Sequence, residues 1–461
     1  MLEQVLKTID QRRDASLAQL TQFLSIPSIS TKPDHKPDMV RCANWLADQL
    51  KFAGFAVKIE PTAGHPIALA KNRHQAGRPT VLVYGHYDVQ PVEPLELWVT
   101  PPFEPAVREA DGIKSIYARG AADDKGQVWA HIEALMAWQA HGGPPVNVTL
   151  LIEGEEEIGS DHLEAFVRAH KDDLKADIAV ISDTNQFARG LPAITYGLRG
   201  LCYAELFLTG PDHDLHSGLY GGAVPNPANA LCDFVATLHD AECKVAIPGF
   251  YDDVSPLTPT ERETWRKLPF DERDFARSVG ITNGSGEVGF SALERKWARP
   301  TCDVNGLTAG YQGPGAKTVI ASKASAKISM RLVPNQDPMK VQEAFEKVVR
   351  DRLPKNVKYE IKWYGASAPV LVPIDSKATK LAAKALAIGF GKEPTFMREG
   401  GSIPVVGLIK SVLGLDTLLI GFGQADDRVH SPNEKFDLDS LYGGTRTAAA
   451  LYAELTNLRL S

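Results

Sequence analysis

The chain has 461 residues and a formal charge of −7 at pH 7, with both signs of charge spread along the sequence. This length predicts two domains or so, and the lack of a long basic cluster argues against a nucleic-acid partner. There is no signal-peptide core or long apolar run, and the five scattered cysteines include no C-x-x-C pair, so we expect a soluble, cytoplasmic protein without membrane contact, in which any metal is held by nitrogen and oxygen.

The first part of the chain alternates helix-like and strand-like segments. In chain order, we predict helices at 2–23 and 38–52, a strand at 80–84, a helix at 125–141, and strands at 147–152 and 178–182. In the helix at 125–141, one apolar face is formed by Val128, Ile132, Leu135 and Met136. The alternation is typical of a largely parallel sheet covered by helices.

A different order of elements begins after residues 196–200. We predict a strand at 202–208, a helix at 227–239, strands at 319–322 and 326–332, a helix at 338–353 and a strand at 359–363. This β-α-β-β-α-β order is the split pattern of a small ferredoxin-like domain. Residues 248–300, which are rich in proline, glycine and charge, are predicted to form a long excursion with some helix at 271–278.

The first pattern returns after residue 367, with a predicted helix at 376–388 and a strand at 417–421. The sequence therefore predicts an α/β protein in which a small domain is inserted into a large one. Residues 1–198 and 367–461 would form the largely parallel-sheet domain. Residues 199–366 would form the inserted ferredoxin-like domain.

Ionisable side chains follow the carboxyl ends of the predicted strands. In YGHYDVQP, His86 and Asp88 are two residues apart and point to the same face. A metal ligand with its orienting carboxylate and a capped loop histidine explain this pair about equally well. Other ionisable residues lie at similar positions: Asp123, Asp124, Glu153, Glu155, Glu156, Glu157, Asp183 and His430. One of the two aspartates at 123 and 124 could instead cap a helix. Each is ambiguous alone, because acidic runs are commonly solvated surfaces.

The recurrence of these residues at strand ends favours a metal site. The carboxyl ends of parallel strands share one edge of a sheet, where open α/β folds hold their ligands, and adjacent carboxylates there would repel one another without a cation. Two imidazoles and three carboxylates suit Zn²⁺, or Mn²⁺ or Co²⁺, and suffice for two ions that share one carboxylate. In this interpretation His86 is a ligand, and Asp88 orients it by accepting its other ring proton.

The motifs H-x-D, R-G-x-x-D-D-K-G, E-E-x-G-S, a later aspartate, D-L-H-S-G and H-S-x-N-E-K occur in this order along nearly the whole chain. In content and order they resemble the M20 family of di-zinc metallopeptidases, most closely its dipeptidase branch, the carnosinase and cytosolic non-specific dipeptidase group. The resemblance implies a metallopeptidase catalytic domain with an inserted lid and dimerisation domain. It also implies hydrolysis of the peptide bond of dipeptides by a water that bridges two metal ions.

The resemblance further implies roles for the site residues. His86 and Asp183 would bind one metal, Glu157 and His430 the other, and Asp123 would bridge the two. Glu156 is identified by counting back from the Gly-Ser that ends EEEIGS. It would be the general base that takes a proton from the water and passes it to the leaving amine.

The predicted small domain carries a second set of residues. His216 in DLHSG resembles a lid histidine that stabilises the oxyanion, although without the resemblance we would interpret it as a loop histidine capped by Asp214. Arg331 resembles the arginine that binds the substrate carboxylate, and Thr318 and Ser402 resemble further substrate contacts. In the resembling dipeptidases the histidine completes the active site of the neighbouring subunit, which implies a homodimer with His216 acting in trans.

Substrate class is predicted from Asp183. In the family, an aspartate at this position goes with dipeptidases and aminopeptidases, and a glutamate with carboxypeptidases and desuccinylases, so we expect a dipeptide with a free amino end. The alternatives are an N-acyl or N-succinyl amino acid amidohydrolase on the same scaffold, and a non-catalytic metal-binding relative, although every catalytic position is present. A serine hydrolase is disfavoured because no G-x-S-x-G motif occurs.

Overall fold

The computed structural model describes residues 1–401 and 403–458. It divides into two compact units. The large unit comprises Met1–Tyr196, Val372–Met397 and the described part of 408–461; the small unit comprises Gly197–Leu371 and the described part of 398–407. That these units act as a catalytic domain and a lid remains a prediction.

The elements are numbered in chain order. The strands are β1 Ala56–Glu60, β2 Ile67–Lys71, β3 Thr80–His86, β4 Ala106–Ala110, β5 Ile113–Tyr117, β6 Asn147–Glu153, β7 Ile178–Ile181, β8 Ala193–Leu198, β9 Gly200–Thr209, β10 Leu215–His216, β11 Thr301–Ala309, β12 Val319–Ile320, β13 Lys323–Leu332, β14 Lys358–Ser367, β15 Val370–Leu371, β16 Thr395–Glu399, β17 Thr417–Leu419 and β18 Lys435–Asp437. The helices are α1 Leu2–Gln11, α2 Arg13–Leu24, α3 Lys36–Phe52, α4 Lys125–Gln139, α5 Leu163–Ala169, α6 Ser217–Tyr220, α7 Pro227–Ala236, α8 Pro259–Arg266, α9 Glu272–Ser278, α10 Ala292–Trp297, α11 Pro338–Arg352, α12 Lys377–Phe390, α13 Pro404–Leu408 and α14 Leu438–Glu454.

The large unit is built on one sheet with a parallel centre. Strands β6, β3, β7 and β17 are neighbours in this order and run parallel, whereas β1, β2 and β8 are antiparallel additions at the two sides. The central strands are buried along almost their whole length, as expected for strands covered on both faces. The predicted α/β class is confirmed, and all four central strands lie where the sequence predicts strands.

Helix α4 differs from the amphipathic helix that the sequence predicts. Every residue from Lys125 to Trp138 is buried, because α14, α1, α2 and α3 surround the helix on the side away from the sheet. The indoles of Trp129 and Trp138 donate hydrogen bonds to Ser16 Oγ at 2.9 Å and to the carbonyl of Ala449 at 3.1 Å. The four residues of the predicted apolar face are therefore only part of the surface through which α4 packs against its neighbours.

The helix predicted at 2–23 is broken. Its two parts, α1 and α2, meet at Arg12, whose backbone leaves the helical region at φ −95° and ψ 3°. The Arg12 side chain forms a two-bond ion pair with Glu133 of α4, with distances of 2.6 and 3.1 Å. The periodicity of α1 and α2 alone does not indicate this break, because the partner of Arg12 is 121 residues away.

The small unit contains an antiparallel sheet in the order β11-β13-β9-β14. Helices α7 and α11 pack on one face of it through Leu231, Phe234, Phe345 and Val348. The order along the chain is β-α-β-β-α-β, as predicted. The strand predicted at 319–322 is present as β12, but its predicted place in the sheet is wrong, because β11 is the second strand of the sheet along the chain and β12 pairs with β10 in a two-stranded ribbon.

The excursion at 248–300 is more helical than predicted. It contains α8, α9 and α10, and α8 begins with a capping box between Thr258 and Glu261. Glu261 also pairs with Arg398, which lies over the Trp265 ring at 5.5 Å. No helix within the described residues is both long and apolar enough to span a bilayer.

Candidate metal centre and active site

The first part of the site is the carboxyl end of β3. His86 and Asp88 are both fully buried. A Cβ atom on Gly85 would lie 2.4 Å from Val128 Cγ2 and 2.9 Å from Asp124 Oδ2, so only glycine allows the first turn of α4 to pack this close to the strand. His86 Nδ1 lies 3.1 Å from the backbone carbonyl of Asp88 and 3.4 Å from its carboxylate.

The Asp88 carboxylate has a role that the sequence does not predict. Its two oxygens accept hydrogen bonds from the backbone N–H groups of Glu156 and Glu157, at 3.3 and 3.1 Å. These contacts link the end of β3 to the turn that follows β6. Asp88 therefore holds the backbone of two proposed site residues, while its own backbone carbonyl is the nearest acceptor for His86 Nδ1.

The run of acidic residues after β6 divides into two pairs. Glu153 accepts from the hydroxyls of Tyr84 and Ser160, at 2.6 and 2.9 Å, and Glu155 accepts from the backbone N–H of His65 at 3.0 Å. Both carboxylates are therefore engaged in holding the turn. Glu156 and Glu157 begin a short 3₁₀ turn and are half-buried.

Asp123 lies in the loop before α4 and is positioned by a residue far away in the chain. The carboxylate of Glu434 accepts hydrogen bonds from Arg119 Nη1 at 2.7 Å and from three backbone N–H groups, those of Gly120, Ala122 and Asp123, at 2.9, 3.0 and 3.1 Å. Glu434 and Arg119 are each 1% exposed. Glu434 therefore fixes the backbone of the loop that presents Asp123.

The remaining two predicted ligands come from separate segments. Asp183 follows β7 directly, and His430 lies in the loop between β17 and β18, where its φ is 62°. The His430 side chain is 54% exposed, whereas that of Glu157 is only 3% exposed. Gln90 holds Glu157 in place by donating to its carboxylate at 2.8 Å.

The two histidines face opposite oxygens of one carboxylate. His86 Nε2 lies 3.1 Å from Asp123 Oδ1, and His430 Nε2 lies 2.9 Å from Asp123 Oδ2 and 3.2 Å from Glu157 Oε2. Two groups of possible ligand atoms result, each with its atoms within 4.8 Å of one another. They are His86, Asp123 and Asp183, and Asp123, Glu157 and His430.

Burial and mutual repulsion disturb the ionisation of these groups. Burial, followed by the negative charges of Asp123 and Asp124, raises the pKa of Asp183 well above its usual range. Burial also raises the pKa of Glu156 to about 7, although the positive charge of His86 acts to lower it. Hydrogen bonds to Asp123 and Glu157 raise the pKa of His430 to about 10. Carboxylates crowded in this way are stabilised in their charged form by a cation.

The donor set fits divalent metal ions. Each group offers one imidazole nitrogen and two carboxylates, a combination suited to Zn²⁺ and to Mn²⁺ or Co²⁺. Asp123 belongs to both groups and turns a different oxygen to each histidine, which is the arrangement that a bridging carboxylate requires. All five ligands predicted from the sequence are brought together, and the described residues offer no other group of this kind.

The predicted substrate residues lie in the small unit. His216 is exposed at the end of β10 and pairs in register with Val319, and the N–H of Ser217 donates to the carbonyl of Thr318 at 3.1 Å. The structure therefore brings His216 and Thr318 together, and neither is held by Asp214, whose carboxylate accepts from Ser322 instead. Ser402 lies outside the described residues.

Arg331 has a neighbour that the sequence analysis missed. Burial, followed by the positive charge of Arg331, lowers the pKa of Arg199 to about 10. Two guanidinium groups this close together form a favourable place for an anion. Arg199 also donates to the carbonyl of Gly400 at 2.8 Å, which fixes the start of the glycine-rich loop that contains Ser402.

The residues missed by sequence reasoning had weak local signals. Glu434 and Arg119 lie inside the quoted motifs H-S-x-N-E-K and R-G-x-x-D-D-K-G, but nothing in their spacing shows that they contact each other. Arg199 lies within residues 196–200, YGLRG, where the predicted order of elements changes, and no motif marks it. Gln90 follows His86 by four residues without any pattern that marks it.

Comparison with known proteins places this site in context. Residues 82–454 match the family described as Peptidase family M20/M25/M40. The chain is 33% identical over 478 residues to the Cys-Gly metallodipeptidase of Schizosaccharomyces pombe, with 99% of both chains covered. It is 31% identical to the Beta-Ala-His dipeptidase of Homo sapiens, with 99% and 93% covered. The solved structure of an M20 family metallo-carboxypeptidase from Sulfolobus solfataricus matches with a TM-score of 0.85 at 35% identity, covering 96% of this chain and 99% of that one.

Proposed function

The chain is a metallopeptidase of the peptidase family M20/M25/M40, and we propose that it hydrolyses the peptide bond of dipeptides with two divalent metal ions, most readily zinc. One ion would be held by His86, Asp123 and Asp183, and the other by Asp123, Glu157 and His430. The observation that carries this proposal is the Asp123 carboxylate, whose two oxygens face two different histidines at 3.1 and 2.9 Å.

The reaction requires a group that moves protons beside the metals. When bound, the metal ions polarise the substrate carbonyl and lower the pKa of a water molecule. Glu156 would receive the proton of the attacking water and return it to the leaving amine. Glu156 is suited to both transfers because its carboxylate lies beside both ligand groups and is not itself a member of either. Asp88 supports this role by holding the Glu156 backbone.

The substrate would bind through its carboxylate to the small unit. Arg331 and Arg199 offer two neighbouring guanidinium groups, and a guanidinium fork matches a planar carboxylate. His216 would stabilise the oxyanion, and Thr318 beside it would contact the substrate. The relatives named as dipeptidases support a dipeptide. The relative named as a carboxypeptidase favours a second candidate, removal of the last residue from longer peptides.

A substrate panel distinguishes these candidates. We expect the zinc- or manganese-loaded protein to cleave dipeptides with a free amino end, and to cleave the matching N-acetyl and N-succinyl amino acids and N-blocked tripeptides much more slowly. Release of the product amino acid measures each rate. A preference for N-blocked substrates would contradict the dipeptidase proposal and favour a deacylase or carboxypeptidase. No turnover of any substrate by metal-loaded protein would favour a non-catalytic relative.

We predict that Glu156→Gln abolishes turnover and leaves metal content near that of the wild type. The physical reason is that Glu156 moves protons and lies outside both ligand groups. Elemental analysis of the purified variant, combined with the dipeptide assay, measures both effects. Glu164→Gln on the exposed surface is the control for the same chemical change. A variant that loses its metal would place Glu156 among the ligands.

We predict that Arg331→Ala impairs hydrolysis of dipeptides at least tenfold more than hydrolysis of their C-terminally amidated forms. Only the former present a carboxylate, and a charge-assisted bond to it contributes about 1.5–3 kcal/mol. Ratios of kcat/KM for the two substrate types, in wild type and variant, measure this difference. Equal losses on both substrates would remove Arg331 from the carboxylate site.

A further inference from the structure

A cleft of 400 Å³ lies in the large unit, on the three-stranded sheet β18-β5-β4, and four basic and two acidic side chains contribute to its lining. Its floor is one face of that sheet, because alternate residues of each strand line it. The residues from the strands are Arg108, Ala110, Ile113, Ser115, Tyr117 and Lys435. Asp111, Arg189, Asp426 and Arg428 line the sides. We call this surface the basic cleft.

Two of the four basic side chains in the basic cleft are already neutralised. Arg189 pairs with Asp437 at 2.8 Å and with Asp426 at 3.0 Å. Lys435 pairs with Asp427 at 2.8 Å and with Asp437 at 3.0 Å. The other two basic side chains of the cleft, Arg108 and Arg428, form no such ion pair with a described residue.

Arg108 is oriented by an aromatic ring. Its guanidinium carbon lies 3.5 Å from the centre of the Tyr117 ring, and its Nε atom is buried without a hydrogen-bond partner among the described residues. Stacking fixes the plane of the guanidinium, so that its donors are held in place for a ligand.

Arg428 occupies a backbone conformation that is unusual for its residue type. Its φ is 57°, in the left-handed region that favours glycine. Its side chain is exposed, and it has no hydrogen bond, ion pair or ring contact to any other described residue. The backbone carbonyl of Arg428 accepts from the N–H of Ser431 at 3.0 Å, and the guanidinium group is left available to a ligand.

We propose that the basic cleft binds a small divalent oxyanion of the sulfate or phosphate type between Arg108 and Arg428. Two guanidinium groups without carboxylate partners match the charge and the acceptor oxygens of such an anion. Arg108 belongs to the β4–β5 hairpin and Arg428 to the loop 426–433. The bound anion therefore connects these two segments.

This connection bears on the metal centre, because the loop 426–433 also carries His430. Arg428, His430 and Asn433 all have positive φ values, and the His430 side chain, at 54% exposure, is more exposed than those of His86, Asp123 and Glu157. The loop is held to its surroundings at its end, where Asn433 bonds to the backbone of Leu97 and Val99 at 2.7 and 2.8 Å. At its start, Asp426 and Asp427 hold the loop through Arg189 and Lys435, and an anion at Arg428 adds an attachment two residues from His430.

Hydrogen exchange in the presence of sulfate tests the proposal on the metal-loaded full chain. Sulfate is titrated at constant ionic strength against sodium chloride, and exchange is followed by mass spectrometry. We expect saturable slowing of exchange in peptides that cover 106–117 and 426–433, and no change in the small unit. Isothermal titration calorimetry gives the affinity in the same buffer.

Three variants separate the proposal from a general salt effect. Arg108→Gln and Arg428→Gly are each expected to bind sulfate at least tenfold more weakly than the wild type. Because glycine retains the left-handed backbone at position 428, weaker binding by that variant reflects the lost guanidinium charge. Arg168→Gln, which removes an arginine from the exposed surface of α5, should bind sulfate like the wild type. Unsaturable or chain-wide protection, or equal affinity in all four proteins, would overturn the proposal.

Discussion

At the residue scale, the candidate metal centre depends on carboxylates that do not contact metal. Asp88 holds the backbone of Glu156 and Glu157, and Glu434 holds the backbone of Asp123. Each is a buried carboxylate that accepts from N–H donors with both of its oxygens, two donors for Asp88 and four for Glu434, and these bonds fix the backbone of the ligand segments. These residues set where the ligand atoms lie before any metal arrives.

We predict that Glu434→Gln weakens metal binding about 10- to 100-fold. A glutamine has one acceptor oxygen, and its NH₂ group would face donors among Arg119 and the N–H groups of Gly120, Ala122 and Asp123. Competition with a chromophoric chelator measures the affinity, and urea unfolding of the metal-free variant shows whether the fold is retained. Affinity within twofold of the wild type would contradict a role in positioning Asp123.

At the element scale, α4 connects the site to the core. His131 of α4 shares hydrogen bonds with the Tyr452 hydroxyl of α14 at 3.0 Å and with Ser182 Oγ, after β7, at 2.8 Å. Both ring nitrogens are engaged, and burial lowers the pKa of His131 to about 4. The ring is therefore neutral in the folded protein at pH values where it would be protonated in the unfolded chain.

We predict a loss of stability on acidification that depends on His131. The folded pKa is about 4 and the ordinary value 6.5, so the unfolded chain binds more protons between these values and stability falls as the pH drops from 6.5 to 4. The full effect is about 3 kcal/mol. Urea unfolding of metal-free wild type and His131→Gln across this range measures it. A constant difference between the two proteins would contradict the assignment.

At the scale of the whole molecule, the position of His216 favours an assembly of two chains. His216 is exposed, and the next helix, α6, carries Leu219 and Tyr220 at 78% and 43% exposure. Exposed apolar side chains of this size are typical of surfaces that contact a partner. They support the proposal, first drawn from the family resemblance, that His216 completes the active site of a neighbouring subunit.

We predict that two inactive variants restore each other's activity. Glu156→Ala and His216→Ala should each be nearly inactive as homodimers. After mixing and subunit exchange, half of the dimers are heterodimers, and each of these has one intact site by the reciprocity of a two-fold interface. About a quarter of wild-type activity should return. A mixture that stays inactive after proven exchange would show that His216 does not act in trans.

The sequence by itself determined the class of fold and the candidate ligands. Buried strands such as 80–86 appear in the sequence as apolar runs. Ionisable residues recur at the ends of these strands, and their side chains suit a metal site. Strand ends meet at one edge of a parallel sheet, which indicated a metal site there, and the resemblance to the M20 family selected His86, Asp123, Glu157, Asp183 and His430 among the ionisable residues at that edge. Helix ends were likewise predicted well where caps such as Asp271 and Asp337 mark them.

Only the tertiary structure decided which partners these residues have. The break at Arg12 depends on Glu133, and the position of Asp123 depends on Glu434. In the basic cleft, Arg108 and Arg428 come from segments more than 300 residues apart. A single sequence records propensity and periodicity over a few turns, whereas an ion pair or a shared hydrogen bond depends on where distant segments pack. The second strand of the small sheet shows the same limit, because the pairing of β11 with β13 and of β12 with β10 depends on where distant segments pack.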